Sequence, residues 1–214
     1  MPDSNELSPS VIERLPRYYH YIQTQLSPRG QAVVSSAELA GILGIDDTLT
    51  RRDMSAIGVK GQPKIGFRCE DIETAIRKAL GFGKRVRAVL VGSGRLGGAL
   101  ASYKGFAQYG MEIVAAFDKD PAKFGQELSG LTVRPLEQAT EFIASRPVDI
   151  GILTVPADGA QDAADLLISA GIRVLWNFAP AHLKVPEGIK VRNELMSIGL
   201  AQLFYHVNRT RNGN

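Results

Sequence analysis

Cysteine occurs once in 214 residues, as Cys69. A single thiol excludes an internal disulfide framework and any multi-cysteine metal site, and it suits a reducing cytoplasm. Its plain reading is a passive residue near a strand end. Histidine is nearly as scarce. His20, His182 and His206 lie far apart in the chain, so neither a metal site nor the general acid or base of a catalyst is expected. Long apolar runs are missing as well, and none approaches the roughly 20 residues that span a bilayer. The opening Met1-Pro2-Asp3-Ser4-Asn5-Glu6 is polar and acidic, unlike a secretory signal. A net charge of +3 is too small to announce a nucleic-acid partner by itself.

What is present is ordinary core material, 44% hydrophobic and 22% charged, in a length that fits one large domain or two small ones. The charge is unevenly placed. Between Thr48 and Arg68 five cations (Arg51, Arg52, Lys60, Lys64, Arg68) stand against one anion, Asp53. Such a local patch is what a DNA reader needs, and it is also what a solvated face looks like.

Apolar residues at Val11, Ile12, Leu15, Tyr18, Tyr19 and Ile22 recur every three or four positions and predict a helix over 9–25. Ser27-Pro28-Arg29-Gly30 ends it. Ser35-Ser36-Ala37-Glu38 reads as a capping box that opens a short helix over 37–43, with Glu38 reaching back to the free amides. Gly44 ends that helix, Asp46 or Asp47 caps the next, and Gly58 closes it. Two short helices around a glycine turn make a helix-turn-helix. Thr50, Met54 and Ile57 face inward in the second of them, leaving Thr48, Leu49, Arg51, Arg52 and Ser55 as candidate DNA contacts. The Gly/Pro-rich stretch 59–67 reads as a hairpin with Lys60 and Lys64 near its tip, the arrangement of a winged helix. A further helix around Ile72, Ile76, Ala79 and Leu80 ends at Gly81-Phe82-Gly83. This glycine pair sets the domain boundary: 1–82 for the winged-helix domain, 83–193 for a second domain and 194–214 for a terminal helix and tail.

The second domain alternates apolar runs at 86–91, 112–117, 131–133, 150–155, 174–176 and 189–191 with helical stretches such as 135–145 and 160–170. That alternation predicts an α/β fold with a doubly wound parallel sheet of Rossmann type. The last segment, 195–207, carries apolar residues at Leu195, Ile198, Leu200, Leu203, Phe204 and Val207, a long greasy face that calls for a partner. Directly after the first strand comes Val91-Gly92-Ser93-Gly94-Arg95-Leu96-Gly97, a G-x-G-x-x-G turn opening a helix. In that context Gly92 permits the tight turn, Gly94 the approach of a pyrophosphate, and Gly97 close helix packing. Asp118, 21 residues beyond Gly97 with Lys119 beside it, stands where an acid bonds the adenosine ribose and repels a 2′-phosphate. The expected cofactor is therefore NAD(H). Thr154-Val155-Pro156 and Asn177-Phe178-Ala179-Pro180 end later strands and are expected to complete the crevice. Asn177 is the candidate for the carboxamide, and Phe178 with Ala179 for an apolar wall at the nicotinamide.

These parts in this order resemble the Rex family of redox-sensing transcriptional repressors. The likeness runs from about Val11 to Val207. It rests on Arg51-Arg52-Asp53-Met54-Ser55, Ile65-Gly66-Phe67, the glycine turn, Ala116-Phe117-Asp118-Lys119-Asp120-Pro121, Val155-Pro156-Ala157, Asn177-Phe178-Ala179-Pro180 and Val185-Pro186-Glu187-Gly188. It implies a homodimer with exchanged C-terminal helices, operator DNA bound in the presence of NAD+ and released by NADH. It also implies a switch through Arg14 and Tyr103, which match the family's domain-junction positions. Two departures stand out: Pro63 replaces a wing-tip arginine, and Leu195 replaces an aspartate, with Glu194 next to it as the substitute. The alternative, a small NAD-dependent oxidoreductase, requires a catalytic base that the sequence does not supply. A CoA-binding domain of the ligase type would have no use for an acid at the ribose or for a basic winged helix.

Overall fold

The computed structural model describes residues 7–211. Met1–Glu6, the polar start, and the last three residues of the tail lie outside the described residues. The chain divides into two compact units, Met1–Gly83 and Lys84–Asn214.

In the first unit, helix α1 (Pro9–Tyr21) runs on through a π-helical turn at Ile22–Leu26 and a 3-10 turn at Ser27–Arg29. Gly30 stops it at φ 68°, a left-handed conformation that suits glycine. Strand β1 (Val33–Val34) leads into α2 (Ser36–Leu43), where Ser35 Oγ accepts from Glu38 N at 3.1 Å. Only that half of the expected capping box forms. The Glu38 carboxylate instead accepts from Gln31 and from the Tyr21 hydroxyl, at 3.3–3.4 Å. Helix α3 (Asp47–Ala56) is capped by Asp46, whose Oδ1 accepts from Thr48 N at 2.8 Å. Strand β2 (Phe67–Arg68) pairs antiparallel with β1, and α4 (Cys69–Leu80) follows. The predicted hairpin over 59–67 is reduced to one bridge, Gln62 with Gly66. Gly61, Pro63 and Gly66 leave too few ladder donors and too little side chain to hold two strands. Cys69 follows the end of β2 directly, as the buried first residue of α4, and burial pushes its thiol up.

Leu15, Tyr18, Ile22, Leu39, Met54, Ile72 and Ile76 are fully buried and tie the helices together. A charged pin runs through this apolar packing. Asp53 lies on the inward stripe of α3, at the i+3 position from Thr50, and is buried. Arg14 clamps it with two bonds, Nε to Oδ2 at 2.6 Å and Nη2 to Oδ1 at 2.7 Å. The Tyr18 hydroxyl donates to Oδ2 at 3.0 Å and lies 3.3 Å from Thr50 Oγ1. Burial first, and then the neighbouring Asp53, push the Tyr18 phenol up to about 12.

The second unit contains β3 (Val86–Val91), α5 (Arg95–Ala101), α6 (Gly105–Gln108) and β4 (Met111–Asp118). Next come β5 (Glu127–Leu128), β6 (Leu131–Pro135), α7 (Ala139–Ala144) and β7 (Ile150–Leu153). The unit closes with α8 (Ala157–Ser169), β8 (Val174–Asn177), β9 (Lys190–Asn193) and α9 (Met196–Arg211). The sheet order is β5-β6-β4-β3-β7-β8-β9, parallel throughout except for the short β5. Without β5, which the sequence reading missed, this is the doubly wound order whose crevice opens between β3 and β7. The helix expected over 135–145 begins later, because Pro135 ends β6 in an extended conformation and a 3-10 turn intervenes.

Alternation along β3 sends Val89 and Val91 to one face, where α7 and α8 pack, and Ala88 and Leu90 to the other. The second face is covered more thinly, and Trp176 and Phe178 remain half-buried on it. The apolar side chains of α9 are likewise uncovered, with Ile198, Leu200, Leu203, Phe204 and Val207 between 45 and 63% exposed.

Replacing Asp53 with alanine should destabilise the first unit by about 1.5–3 kcal/mol, the scale of hydrogen bonds to a charged group, because the Arg14 left behind is partly exposed. Trp176, the sole tryptophan, belongs to the second unit and reports on it alone. In urea, the far-UV signal of Asp53→Ala should lose helix early while the Trp176 emission transition stays in place. Coincident and unshifted transitions would show that the pin carries no such stability.

Candidate functional site

The glycine turn is built by three strand ends that converge on it. Gly92 N donates to Phe117 O at 2.8 Å, joining β3 to β4. Thr154 Oγ1, just past β7, donates to Gly92 O at 2.7 Å and lies 3.1 Å from Val91 O. Gly92 has φ 103°, and a Cβ there would stand 2.7 Å from Thr154 O. A Cβ at Gly97 would collide with the Gly92 carbonyl oxygen. Gly94 differs: it is exposed, and nothing lies within 4 Å of where its Cβ would be. The turn is thus closed toward the protein and open at Gly94, as a backbone that receives a phosphate must be. Ser93 and Leu96 are half-buried beside it, and Arg95 is exposed.

Asp118 ends β4 under this turn. Its Oδ2 accepts from Ser93 N and Ser93 Oγ, both at 2.7 Å, and from Lys123 Nζ at 2.9 Å. Its Oδ1 accepts only from Asp120 N, at 3.0 Å. Burial alone would raise the carboxyl, but Lys123 and Ser93 outweigh it and hold the group well below the usual carboxylate range. Lys119 is exposed, with its ammonium near Gly159 in the first turn of α8. Val155 is half-buried and Pro156 caps α8.

The later loop departs from expectation. Asn177 is fully buried. Its amide donates to Ala181 O and to Asn193 Oδ1, and its Oδ1 accepts from Ala179 N. Both amide hydrogens are used, one within the loop and one on Asn193 of β9, so Asn177 shapes the loop and has no free donor for a carboxamide. Nor do Phe178 and Ala179 form one apolar wall, because they pack in different clusters on the two faces of the sheet. Ala179 joins the core beneath α8, Phe178 packs on the other face, and Pro180 is exposed.

That other face gathers residues from distant parts of the unit. Tyr103, Phe106, Trp176 and Phe178 form a chain of ring contacts with centroids 4.9–5.6 Å apart. They line a cleft of about 610 Å³ with Leu100, Glu194, Leu195 and Gly199. Glu194 Oε1 accepts from Trp176 Nε1 at 3.2 Å and from Arg192 Nε at 3.0 Å. Tyr103, Phe178 and Glu194 were anticipated from the sequence. Phe106 and Trp176 were missed, although the spacings 103/106 and 176/178 were the available signal.

In the first unit, Arg51, Ser55, Lys60 and Lys64 line one open cleft of about 710 Å³. Lys64 sits at the tip of the reduced wing with φ 63°. Arg51 also bonds Asp47 one turn away at 2.6 Å, both side chains being partly exposed. Thr48 and Arg52 are exposed and Leu49 is half-buried, and none of the three lines the cleft. Arg14, expected at a switch, is held by Asp53 as described. Among the described residues no cluster of His, Cys, Asp and Glu could hold a metal, and no helix is long and apolar enough to cross a membrane.

Comparison with known proteins matches this division. Residues 6–55 match the family profile "Putative DNA-binding protein N-terminus", and residues 84–181 the profile "CoA binding domain". The redox-sensing transcriptional repressor Rex of Clostridium botulinum (strain Alaska E43 / Type E3) is 36% identical over 211 residues, covering 99% of this chain and 100% of the relative. The chain belongs to the Rex family of redox-sensing transcriptional repressors. The Rex of Porphyromonas gingivalis (strain ATCC 33277) is 40% identical over 194 residues, covering 91% of this chain and 88% of its own. Crystal structures of RSP, a Rex-family repressor, superpose closely. Its complex with beta-NAD+ and operator DNA gives a TM-score of 0.88 at 35% identity, covering 96% of this chain and 94% of that one. Its complex with beta-NADH gives 0.88 at 35% identity, with 96% of both chains covered. Rex relatives are repressors, so the oxidoreductase alternative falls away.

The lowered carboxyl of Asp118 has a pH consequence. A group whose folded pKa lies below its unfolded value of about 3.9 adds stability above that value and loses it as pH falls toward the folded pKa. Followed by Trp176 emission, the second unit should weaken in acid below about pH 4. Asp118→Asn should be less stable at neutral pH and should lack this part of the decline. Parallel pH curves for the two proteins would rule out the linkage.

Proposed function

We propose that the protein is a dimeric repressor that grips operator DNA through α3 and the wing and lets go when NADH binds the second unit. The observation that carries the reading is the basic cleft: Arg51, Ser55, Lys60 and Lys64 meet on one surface of a helix-turn-helix, on a chain whose other unit has an open glycine turn. Helix α3 enters the major groove, with Arg51 and Ser55 toward bases or phosphates and the two lysines toward the backbone. Thr48, Leu49 and Arg52 lie outside the cleft and contact the flanking duplex. The Arg51–Asp47 bond is an exposed i,i+4 pair, worth little and readily exchanged for a phosphate. Such a protein works where the operator DNA is, in the cytoplasm.

The residues fit a nicotinamide dinucleotide. Gly92, Ser93, Gly94, Arg95, Leu96 and Gly97 receive the pyrophosphate, Gly94 being the open point. Asp118 Oδ1 accepts from Asp120 N and keeps acceptor capacity for a ribose hydroxyl, and Lys119, Thr154, Val155 and Pro156 border the crevice. Phe178 and Tyr103 supply apolar surface, while Asn177, Ala179 and Pro180 shape the loop beside it. The cofactor supplies a redox state, its ring losing a positive charge on reduction. An apolar surface disfavours the charged ring and accepts the neutral one. The half-covered sheet face and the uncovered side of α9 are the apolar surfaces a second copy would cover, which gives the dimer, with its terminal helices exchanged, a physical reason. Arg14, Tyr103 and Glu194 remain the candidate links. Asp53 on α3 is what Arg14 now holds, so any move of Arg14 would be felt by the reading helix.

Arg51→Ala and Arg52→Ala should each weaken operator binding, by roughly 1–3 kcal/mol for a base contact. For a phosphate contact the salt slope should flatten by about one unit instead. If both variants bind like the parent at several salt concentrations, α3 is not the reader. Linkage supplies the test of the switch. Operator DNA must weaken NADH binding by the same factor by which NADH weakens operator binding. Calorimetric NADH affinities with and without operator should differ, whereas equal values would mean that the two sites are uncoupled.

A further inference from the structure

The ribose acid has a cation on it that no part of the reading above uses. Lys123 closes the 3-10 turn Pro121–Lys123 that follows β4. Its ammonium meets Asp118 Oδ2 at 2.9 Å, the lysine side chain 35% exposed and the aspartate 7%. The same acid places the lysine: Asp120 N bonds Asp118 Oδ1, and Asp120 Oδ1 in turn accepts from Ala122 N at 3.0 Å, shaping the turn that carries Lys123. Lysine has three ammonium donors and no acceptor, and one of them is spent on Asp118.

An acid at the end of the second strand normally selects NAD(H), because an uncompensated carboxylate repels a 2′-phosphate. Here the carboxylate is paired, and the stretch 118–123 holds two acids, Asp118 and Asp120, and two bases, Lys119 and Lys123. The ribose edge therefore carries no net charge, and its exposed members include ammonium donors of the kind that receive phosphate.

We propose that Lys123 sets how far this ribose site discriminates between NADH and NADPH. It neutralises Asp118 and offers a 2′-phosphate a partner, so the site admits NADPH more readily than its aspartate alone would allow. This rests on the cofactor reading above. The test is calorimetry of the full chain with NADH and NADPH, at low and high salt, for the parent, Lys123→Met, Lys123→Gln and Lys123→Arg.

The parent should bind both cofactors. Lys123→Met and Lys123→Gln should weaken NADPH by about tenfold or more, the scale of one charged hydrogen bond. Both should keep NADH within about threefold, since a neutral ribose loses no charge partner. Lys123→Arg should restore the parent ratio, and salt should shrink the difference. An unchanged NADPH-to-NADH ratio in both neutral variants would overturn the proposal while leaving the cofactor reading intact. Equal losses for the two cofactors would also overturn it, because the lysine would then only brace the turn. Failure of the parent to bind NADH would overturn the cofactor reading and this proposal with it.

Discussion

The carbonyl oxygen of Gly92 stands where three strands end, and the second unit is organised around that point. Thr154 holds it from β7, the absent side chain of Gly97 lets α5 sit against it, and the Gly92 amide is tied to β4. Asp118 then secures Ser93 from beneath. The turn is thus held from several directions at once. Its one open side, at Gly94, is presented to whatever enters the crevice. Preorganisation of this kind lowers the ordering cost of binding.

A second buried carboxylate does comparable work in the first unit. Asp53 draws α3 onto α1 through Arg14 and Tyr18. A directional pair fixes the rotation of α3 about its axis in a way that dispersion contacts do not, since only one register satisfies both oxygens. The consequence is positional: Arg51 and Ser55 face the wing lysines across one cleft. The helix that would read DNA is thereby anchored by the residue expected to take part in a switch.

The second face of the sheet has the opposite character. Helices α7 and α8 cover one side, while the other leaves Trp176 and Phe178 half-buried and a cleft ringed by Tyr103, Phe106 and Glu194. Apolar surface of this extent, in a chain whose α9 is exposed along its described length, is of the kind that marks interaction sites. Leu195 lines the same cleft, and Glu194 beside it accepts a hydrogen bond from Trp176.

The sequence by itself determined the two-part order, the helix-turn-helix, the parallel alternation and the glycine turn, because each rests on local periodicity or on a residue with special backbone freedom. Gly30, Gly44 and Gly58 end their elements at positive φ as their spacing implied. Asp118 and the basic residues of α3 and the wing were likewise legible, since their positions follow from neighbouring strands and helices. Only the tertiary structure decided what these side chains touch. It turned Asn177 inward, separated Phe178 from Ala179, gave Asp53 to Arg14, set Lys123 on Asp118 and joined Trp176 to Phe106. Each of these depends on a neighbour from another element, or on which side of an extended backbone a residue falls. Pattern reading supplies the periods, but a hydrogen bond between residues 39 positions apart, such as Arg14 to Asp53, exists only once the chain has packed.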